Sequence, residues 1–277
     1  MKKTKKKIYV GSLILKILII LAAIFTIVML GYLIVYILGK GIPHLTPSLF
    51  SLHYDSDNVS MLPSIINTLI MIGVALLIAV PIGVFSAVYL TEYAKKGNKL
   101  VQVIRITAET LSGIPSIVYG LFGMLFFVTA LHWGMSLLAG ACTLVIMVLP
   151  LIMRTAEEAL KAVPDSYREA SFGLGAGKLR TIFTIVLPSA VPGILAGIIL
   201  AIGRIIGETA ALLYTSGTVA QVPNLMGSGR TLALHMYVLS SEGLHMNQAS
   251  ATAVVILLFV LLINGLSGMV AKRIAKG

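Results

Sequence analysis

Long apolar runs, rather than alternating strands or one-faced stripes, dominate the chain. Six stretches, residues 8–38, 62–90, 114–131, 135–153, 190–214 and 249–270, hold between them only Lys16, Arg204 and Glu208 as charges. Each approaches the roughly 20 predominantly apolar residues needed to cross a bilayer. The pattern predicts an all-α polytopic membrane protein with six transmembrane helices. The first run follows the basic start Met1-Lys-Lys-Thr-Lys-Lys-Lys7. It is too long for a signal peptide, whose apolar core covers about 7–15 residues, and reads as an uncleaved span.

The connections are unequal. Segments 39–61 and 215–248 are polar and rich in Gly, Pro and Ser, and His132-Trp133-Gly134 makes a short turn; all three fall on one side. On the other side the longest connection, 154–188, has a helical pattern of its own. Residues 1–60, with the first span and its loop, read as an addition to a five-helix core over 61–277.

Composition agrees with this picture and then refines it. The 277 residues are 58% hydrophobic and 11% charged, against roughly 25% charged in soluble domains, which excludes a soluble fold. A net charge of +11 suits nucleic acid, anionic lipid or membrane topology, and the positions decide. Placed by side, 17 Lys and Arg residues fall on the face that carries both termini and only Lys40 and Arg230 on the other. Cytoplasmic ends carry such an excess, so both termini are expected inside and no nucleic-acid partner is implied. The single cysteine, Cys142, excludes an internal disulfide and a cysteine-based zinc site, and its apolar neighbours predict a small buried side chain.

The 154–188 connection carries the densest pattern. Pro164 can open a helix that continues through Asp165-Ser-Tyr-Arg-Glu-Ala-Ser171, and Gly173, Gly175 and Gly177 stop it. Leu179, Ile182, Phe183, Val186 and Leu187 then follow at helical spacing and predict a one-faced amphipathic helix ending before Pro188. Such a pair either covers the inner face of the bundle or protrudes to dock a partner. Gly173-Leu-Gly-Ala-Gly177-Lys178-Leu179 is not a phosphate loop, because Phe172 stands at the first glycine and Leu179 at the Ser/Thr position.

In the fifth span, Arg204 falls about 18 Å along a helix counted from Pro192, near mid-bilayer, where an ionised arginine faces the bundle interior or a cavity. Glu208 lies at i+4, so the two are expected to share a face and pair, with Thr209 beside them. The alternatives are a packing ion pair and an anion site in which the planar guanidinium holds an oxyanion while Glu208 orients it or accepts a substrate proton. Gly203 and Gly207 line an adjacent stripe open to close helix approach. At the start of the third span, Arg105 and Glu109 are expected to form a solvated inner-surface pair, followed by Ser112, the interruption Gly113-Ile-Pro115, and Ser116. Asn67, Thr68, Ser86 and Tyr89 are expected to bond neighbouring helices. His44, His53, His132, His235 and His245 show no metal-ligand spacing and read as surface residues. Gly-x-Ser-x-Gly, paired aspartates and His-Glu-x-x-His are absent from the spans, which argues against a membrane-embedded enzyme.

Glu169-Ala170-Ser171, Gly175 four residues on, and Ile185-Val-Leu187-Pro188 after nine more resemble the EAA signature of the membrane subunits of binding-protein-dependent ABC importers, with Ser171 in place of the second alanine. The segments Leu111-Ser-Gly-Ile-Pro-Ser-Ile-Val-Tyr-Gly120 and Gly203-Arg-Ile-Ile-Gly-Glu-Thr-Ala210 are similar to the phosphate-importer branch, nearest its A-type permease, with the C-type sister as the alternative. The resemblance covers residue 62 to the end and implies a type-I importer (MetI-like) permease fold in the cytoplasmic membrane of a prokaryote. It implies that the chain binds no cofactor, with ATP held by two separate ATPase subunits, and that a sister C-type permease and an external phosphate-binding protein complete the assembly. Arg204 and Glu208, with Thr209, Ser112 and Ser116, would line the substrate pathway. Glu169, Ala170, Ser171, Gly175, Leu187 and Pro188 would form the loop coupled to the ATPase. Sulfate or molybdate would suit Arg204 equally on physical grounds.

Overall fold

The computed structural model describes residues 10–95 and 97–274, and the basic positions Lys2, Lys3, Lys5, Lys6, Lys7, Lys96 and Lys276 lie outside them. The described residues form helices and connections only. Helix α1 (Val10–Gly41) is followed by two 3-10 turns, Ile42–His44 and Pro47–Phe50. Next come α2 (Leu62–Val88), continued by a π-helical turn Tyr89–Tyr93, then α3 (Lys99–Ser112) and α4 (Ser116–Gly123), whose π-helical end is Met124–Ala130. Helix α5 (Leu137–Lys161) leads to α6 (Asp165–Gly173), α7 (Lys178–Thr181), a π-helical turn Ile182–Val186, α8 (Leu187–Ile206) and α9 (Ala210–Thr215). The last two are α10 (Leu232–Glu242) and α11 (Met246–Ile274).

Three helices make the centre. Met71, Ala75 and Ala79 of α2, Leu144, Met147, Val148 and Ile152 of α5, and Ala201, Ile205 and Ile206 of α8 form one buried cluster. Small residues let the backbones approach, as in membrane bundles where close packing replaces the hydrophobic drive. A Cβ on Gly83 would sit 2.8 Å from Ile152 Cγ2, and one on Gly193 2.6 Å from Ala159 Cβ. Around this centre the outward faces are apolar and exposed, including Leu15, Phe25, Ile27 and Val35 of α1, which is what hydrocarbon-facing helices require. Helix α1 meets the bundle at its outer end, where Gly41 lies directly against Ser250 and Val254 of α11.

Four helical stretches match predicted spans closely: Gly11–His44, Leu62–Tyr93, Leu137–Lys161 and Met246–Leu266 are long and apolar enough to cross a membrane. A fifth, Lys178–Ile206, differs from the predicted 190–214 at both ends. Pro192 lies inside α8 rather than at its start; Leu187 and Pro188 open α8 directly on the π-helical turn Ile182–Val186, which widens the coil just before Pro188 and relieves the clash a proline makes with the carbonyl four residues back. The amphipathic helix expected to stop before Pro188 therefore runs on into the span. Of its expected face, Ile182 and Val186 are buried while Leu179 and Phe183 are exposed.

The third predicted span, 114–131, corresponds to Ser116–Ala130, and the interruption expected at Gly113-Ile-Pro115 is present. Helix α3 and the arm Ser116–Ala130 meet at 102° across Gly113–Pro115. Pro115 lacks the amide hydrogen and pushes Ile114 out of helical geometry, which accounts for the break. Arg105 does not pair with Glu109. Its Nη2 lies 2.6 Å from Glu157 Oε1 on α5, and Lys161 Nζ reaches the same oxygen at 2.6 Å. Glu157 is 6% exposed, so one buried carboxylate holds two cations and ties α3 to α5 by charge.

Three smaller expectations change as well. Cys142 is half-buried rather than buried. His235 is fully buried, whereas His53 and His132 are exposed. Asn67 bonds a connection rather than a neighbouring helix: its Nδ2 donates to the carbonyls of Gln221 and Arg230, between α9 and α10, at 2.8 and 3.1 Å. Thr68 meets the expectation, its Oγ1 accepting from the amide of Leu232, the first residue of α10, at 2.9 Å.

Candidate functional site

The polar residues of the membrane layer gather where two helices break. One break is Gly113-Ile-Pro115 before α4, the other Gly207-Glu-Thr209 before α9, and α4 packs on α9. Contact is backbone-close: a Cβ on Gly120 would lie 2.8 Å from Ala211 Cα. Tyr119 closes the first break by donating its hydroxyl hydrogen to the Leu111 carbonyl at 2.6 Å. Ser112 Oγ donates to the Glu109 carbonyl, and Ser116 is the first residue of α4. Broken helices expose backbone groups at membrane depth only where they line a cavity or are covered by protein.

The second break overturns the expected Arg204–Glu208 pair. Gly207 ends α8, so the i+4 geometry that would bring the two side chains together is lost. Glu208 turns the other way and is 7% exposed. Its Oε1 accepts the Ala211 amide hydrogen at 3.0 Å, placing a carboxylate at the positive end of α9. Arg204 is half-buried and makes no ion pair among the described residues. Its depth follows from packing. Gly193 lies against Ala159 and Gly197 against Thr155, an antiparallel register that puts Arg204 level with Val148. That position is about 9 Å above Arg154 and about 17 Å below Leu137 along α5, at 1.5 Å per residue. Beside it a Cβ on Gly203 would meet nothing within 4 Å, so this stripe stays open within the chain.

At the inner end, Arg168 anchors α6. Its Nη2 and Nε donate to Glu92 at the end of α2, at 2.7 and 3.2 Å, its Nη1 to the Val163 carbonyl at 2.8 Å, and its Nη2 also to the Leu160 carbonyl at 3.0 Å. The side chains of Arg168 and Glu92 are 14% and 9% exposed. Ser171, the residue that departs from the EAA pattern, is buried with its hydroxyl 2.8 Å from Thr181 Oγ1, which stitches α6 to α7. Glu169 and Ala170 point outward, as do Tyr167, Phe172 and Leu174, the last 91% exposed. Gly175 has φ +81°, a left-handed turn that favours glycine and reverses the chain between the two helices. Leu187 and Pro188 open α8 beyond the π-helical turn. The result is a helix rigidly tied to α2 and α5, presenting an apolar outer face beside a cavity of about 540 Å³ lined by Tyr167, Ala170, Gly175 and Arg180.

Glu92 and Arg168 are 76 residues apart, and no local spacing announces them. Gly207 followed by Glu208 and Thr209 was the available signal for the second break, since glycine ends helices and threonine begins them.

Comparison with known proteins agrees with this layout. The family described as "Binding-protein-dependent transport system inner membrane component" matches residues 79–276. The "Probable ABC transporter permease protein YqgI" of Bacillus subtilis (strain 168) is 35% identical, over 75% of this chain and 78% of that protein. The "Phosphate transport system permease protein PstA" of Haemophilus influenzae (strain ATCC 51907 / DSM 11121 / KW20 / Rd) is 32% identical, over 95% of this chain and 92% of that protein. Among solved structures, a chain of the bacterial alginate ABC transporter in complex with alginate pentasaccharide-bound periplasmic protein superposes with a TM-score of 0.71 at 16% identity, covering 96% of both chains, a likeness of fold. The chain belongs to the inner-membrane components of binding-protein-dependent transport systems, as a permease component that performs no catalysis of its own.

Proposed function

We propose that the chain is the A-type permease subunit of an ATP-driven phosphate importer of a prokaryotic cytoplasmic membrane. Its partners are a sister C-type permease, two ATPase subunits and an external phosphate-binding protein. The observation that carries this reading is the similarity to Haemophilus influenzae PstA along nearly the whole of both chains. Residues 61–277 make the transport core, with 1–60 an addition that meets α11 at Gly41.

Arg204 supplies the cation of the path. It sits at mid-depth without a carboxylate partner among the described residues, so its planar fork is open to a tetrahedral oxyanion. Thr209, Ser112 and Ser116 bring hydroxyls to the two breaks, and Glu208 fixes the start of α9 rather than neutralising Arg204. The open Gly203 stripe faces the sister permease, which completes the passage. Glu169, Ala170, Ser171 and Gly175 form the helix and turn that dock on an ATPase subunit, and Leu187 and Pro188 carry its movement into α8. Because Arg168 ties α6 to the ends of α2 and α5, displacement of the docked helix moves two central spans as one body.

The test is Arg204→Gln in cells that carry the whole assembly. Phosphate uptake is lost while the permease pair and ATPase still co-purify, and Arg204→Lys restores part of it. Full uptake by an assembled Arg204→Gln complex removes Arg204 from the path.

A further inference from the structure

The outer end of the bundle holds a second polar cluster that the pathway above leaves without a task. Arg230, 3% exposed, stacks its guanidinium over the Tyr54 ring with 4.7 Å to the centroid. Among the described residues its Nε and Nη2 have no hydrogen-bond partner and it joins no ion pair. His235, one turn into α10, is fully buried, with both ring nitrogens unpartnered and its ring edge-on to Tyr54 at 6.3 Å. From α2, Asn67 grips the same segment through Nδ2 while its Oδ1 is left unpartnered, as is the hydroxyl of Thr231.

Buried polar groups are almost always bonded, so such a concentration marks a place where something binds. Ordered water satisfies neutral groups, but a buried guanidinium lacking a counter-charge calls for an anion. Arg230 and Tyr54 form part of the wall of an outer cavity of about 660 Å³, with His53, Thr218 and Gln221, and His235 packs edge-on to Tyr54 behind that wall. The chemistry narrows the ligand. Arg230 offers N–H donors to oxyanion oxygens, as does one nitrogen of a neutral imidazole. Burial and the neighbouring Arg230 push His235 down to about 3, so the ring stays neutral in the physiological range. Its other nitrogen and Asn67 Oδ1 are acceptors, which a ligand carrying its own hydroxyl pairs directly and a fully deprotonated one does not.

We propose that Arg230, His235, Asn67 and Thr231 form an outer station for a tetrahedral oxyanion that retains a proton, occupied between release from the external binding protein and arrival at Arg204. The station rests on the reading that phosphate is the transported ion, and it places the rejection of fully deprotonated anions such as sulfate in the permease itself. An unprotonated anion would leave the buried acceptors unpaired, and sites built on hydrogen bonds discriminate by that penalty.

The experiment is equilibrium binding of radiolabelled inorganic phosphate to the permease–ATPase assembly in nanodiscs, without binding protein, in the Arg204→Gln background that removes the inner cation. Arg230→Gln and His235→Leu are each expected to weaken binding by at least about tenfold. Arsenate competes and sulfate does not. His235→Leu exchanges two unpartnered nitrogens for an apolar side chain in a buried position, so a mere packing role predicts normal assembly and unchanged binding. Where Arg230→Gln does not assemble, His235→Leu and Asn67→Leu decide. Wild-type-like binding in an assembled variant, or no phosphate binding in the parent, overturns the station; equal competition by sulfate overturns the protonated ligand. A wild-type assembly whose uptake is of another ion and not phosphate sinks the phosphate reading instead, so the two failures are told apart.

Discussion

Replacing Arg168 with methionine, which keeps much of the stem and deletes the guanidinium, tests how the docking helix is held. Arg168 bonds the Glu92 carboxylate and the carbonyls of Leu160 and Val163, and both charged side chains are largely removed from water. Deleting one partner of a buried pair leaves an uncompensated charge and costs about 3–5 kcal/mol. At about 1.4 kcal/mol per factor of ten, the released state of α6 rises by two to three and a half orders of magnitude. The assay is twofold: ATP-driven uptake by the assembled transporter, and the rate of tryptic cutting at Lys178 and Arg180 beside α6. Arg168→Met is expected to lose uptake and to be cut about a hundredfold faster when opening precedes cleavage. Glu92→Met combined with Arg168→Met is expected to recover part of the protection, because no lone charge remains, giving a coupling of about 1–3 kcal/mol in the double-mutant cycle. Strict additivity, or a single mutant with unchanged cutting and uptake, refutes the anchor.

Further outcomes follow from packing and from titration. Gly120→Val drives a side chain into Ala211 Cα, 2.8 Å from the position of the new Cβ; overpacking of this kind costs about 1–3 kcal/mol, read as a lower unfolding midpoint in detergent and as lost uptake. For His235, the folded value near 3 lies below the ordinary 6.5, so the unfolded chain takes up a proton that the folded one refuses. Stability contributed by this group is complete above about pH 6.5 and falls as pH drops toward 3, by about 2 kcal/mol at pH 5. Unfolding midpoints between pH 8 and pH 5 show this decline in the wild type, and His235→Leu flattens it; equal slopes in both contradict the assignment.

The spans were legible because a bilayer demands length and apolarity, and 62–90 and 135–153 carry both without interruption. Gly113 and Pro115 also announced the first break, since proline has a fixed backbone cost wherever it stands. Less legible was the second break, where glycine, glutamate and threonine are each tolerated within a helix and only packing of α9 on α4 selects the interruption. Counting from Pro192 reached a mid-membrane depth for Arg204 although that proline starts nothing, because the arginine's distance from the cytoplasmic end of α8 limits the error. The i+4 rule failed for Arg204 and Glu208, and for Arg105 and Glu109, for different reasons. In the first pair the helix between them ends; in the second a buried carboxylate on α5 outcompetes a neighbour on the same surface. His235 was hidden because its burial depends on a segment folded back against α2, a contact across more than 160 residues.

Phosphate transport by the purified assembly is the most direct measurement. Proteoliposomes holding this chain with its sister permease and ATPase subunits, given ATP on the nucleotide-binding side and phosphate-loaded binding protein on the other, are expected to accumulate radiolabelled phosphate. Omitting ATP, or substituting Arg204→Gln, abolishes the accumulation. Movement of sulfate or molybdate with phosphate left behind, or phosphate crossing without ATP, contradicts the proposed function.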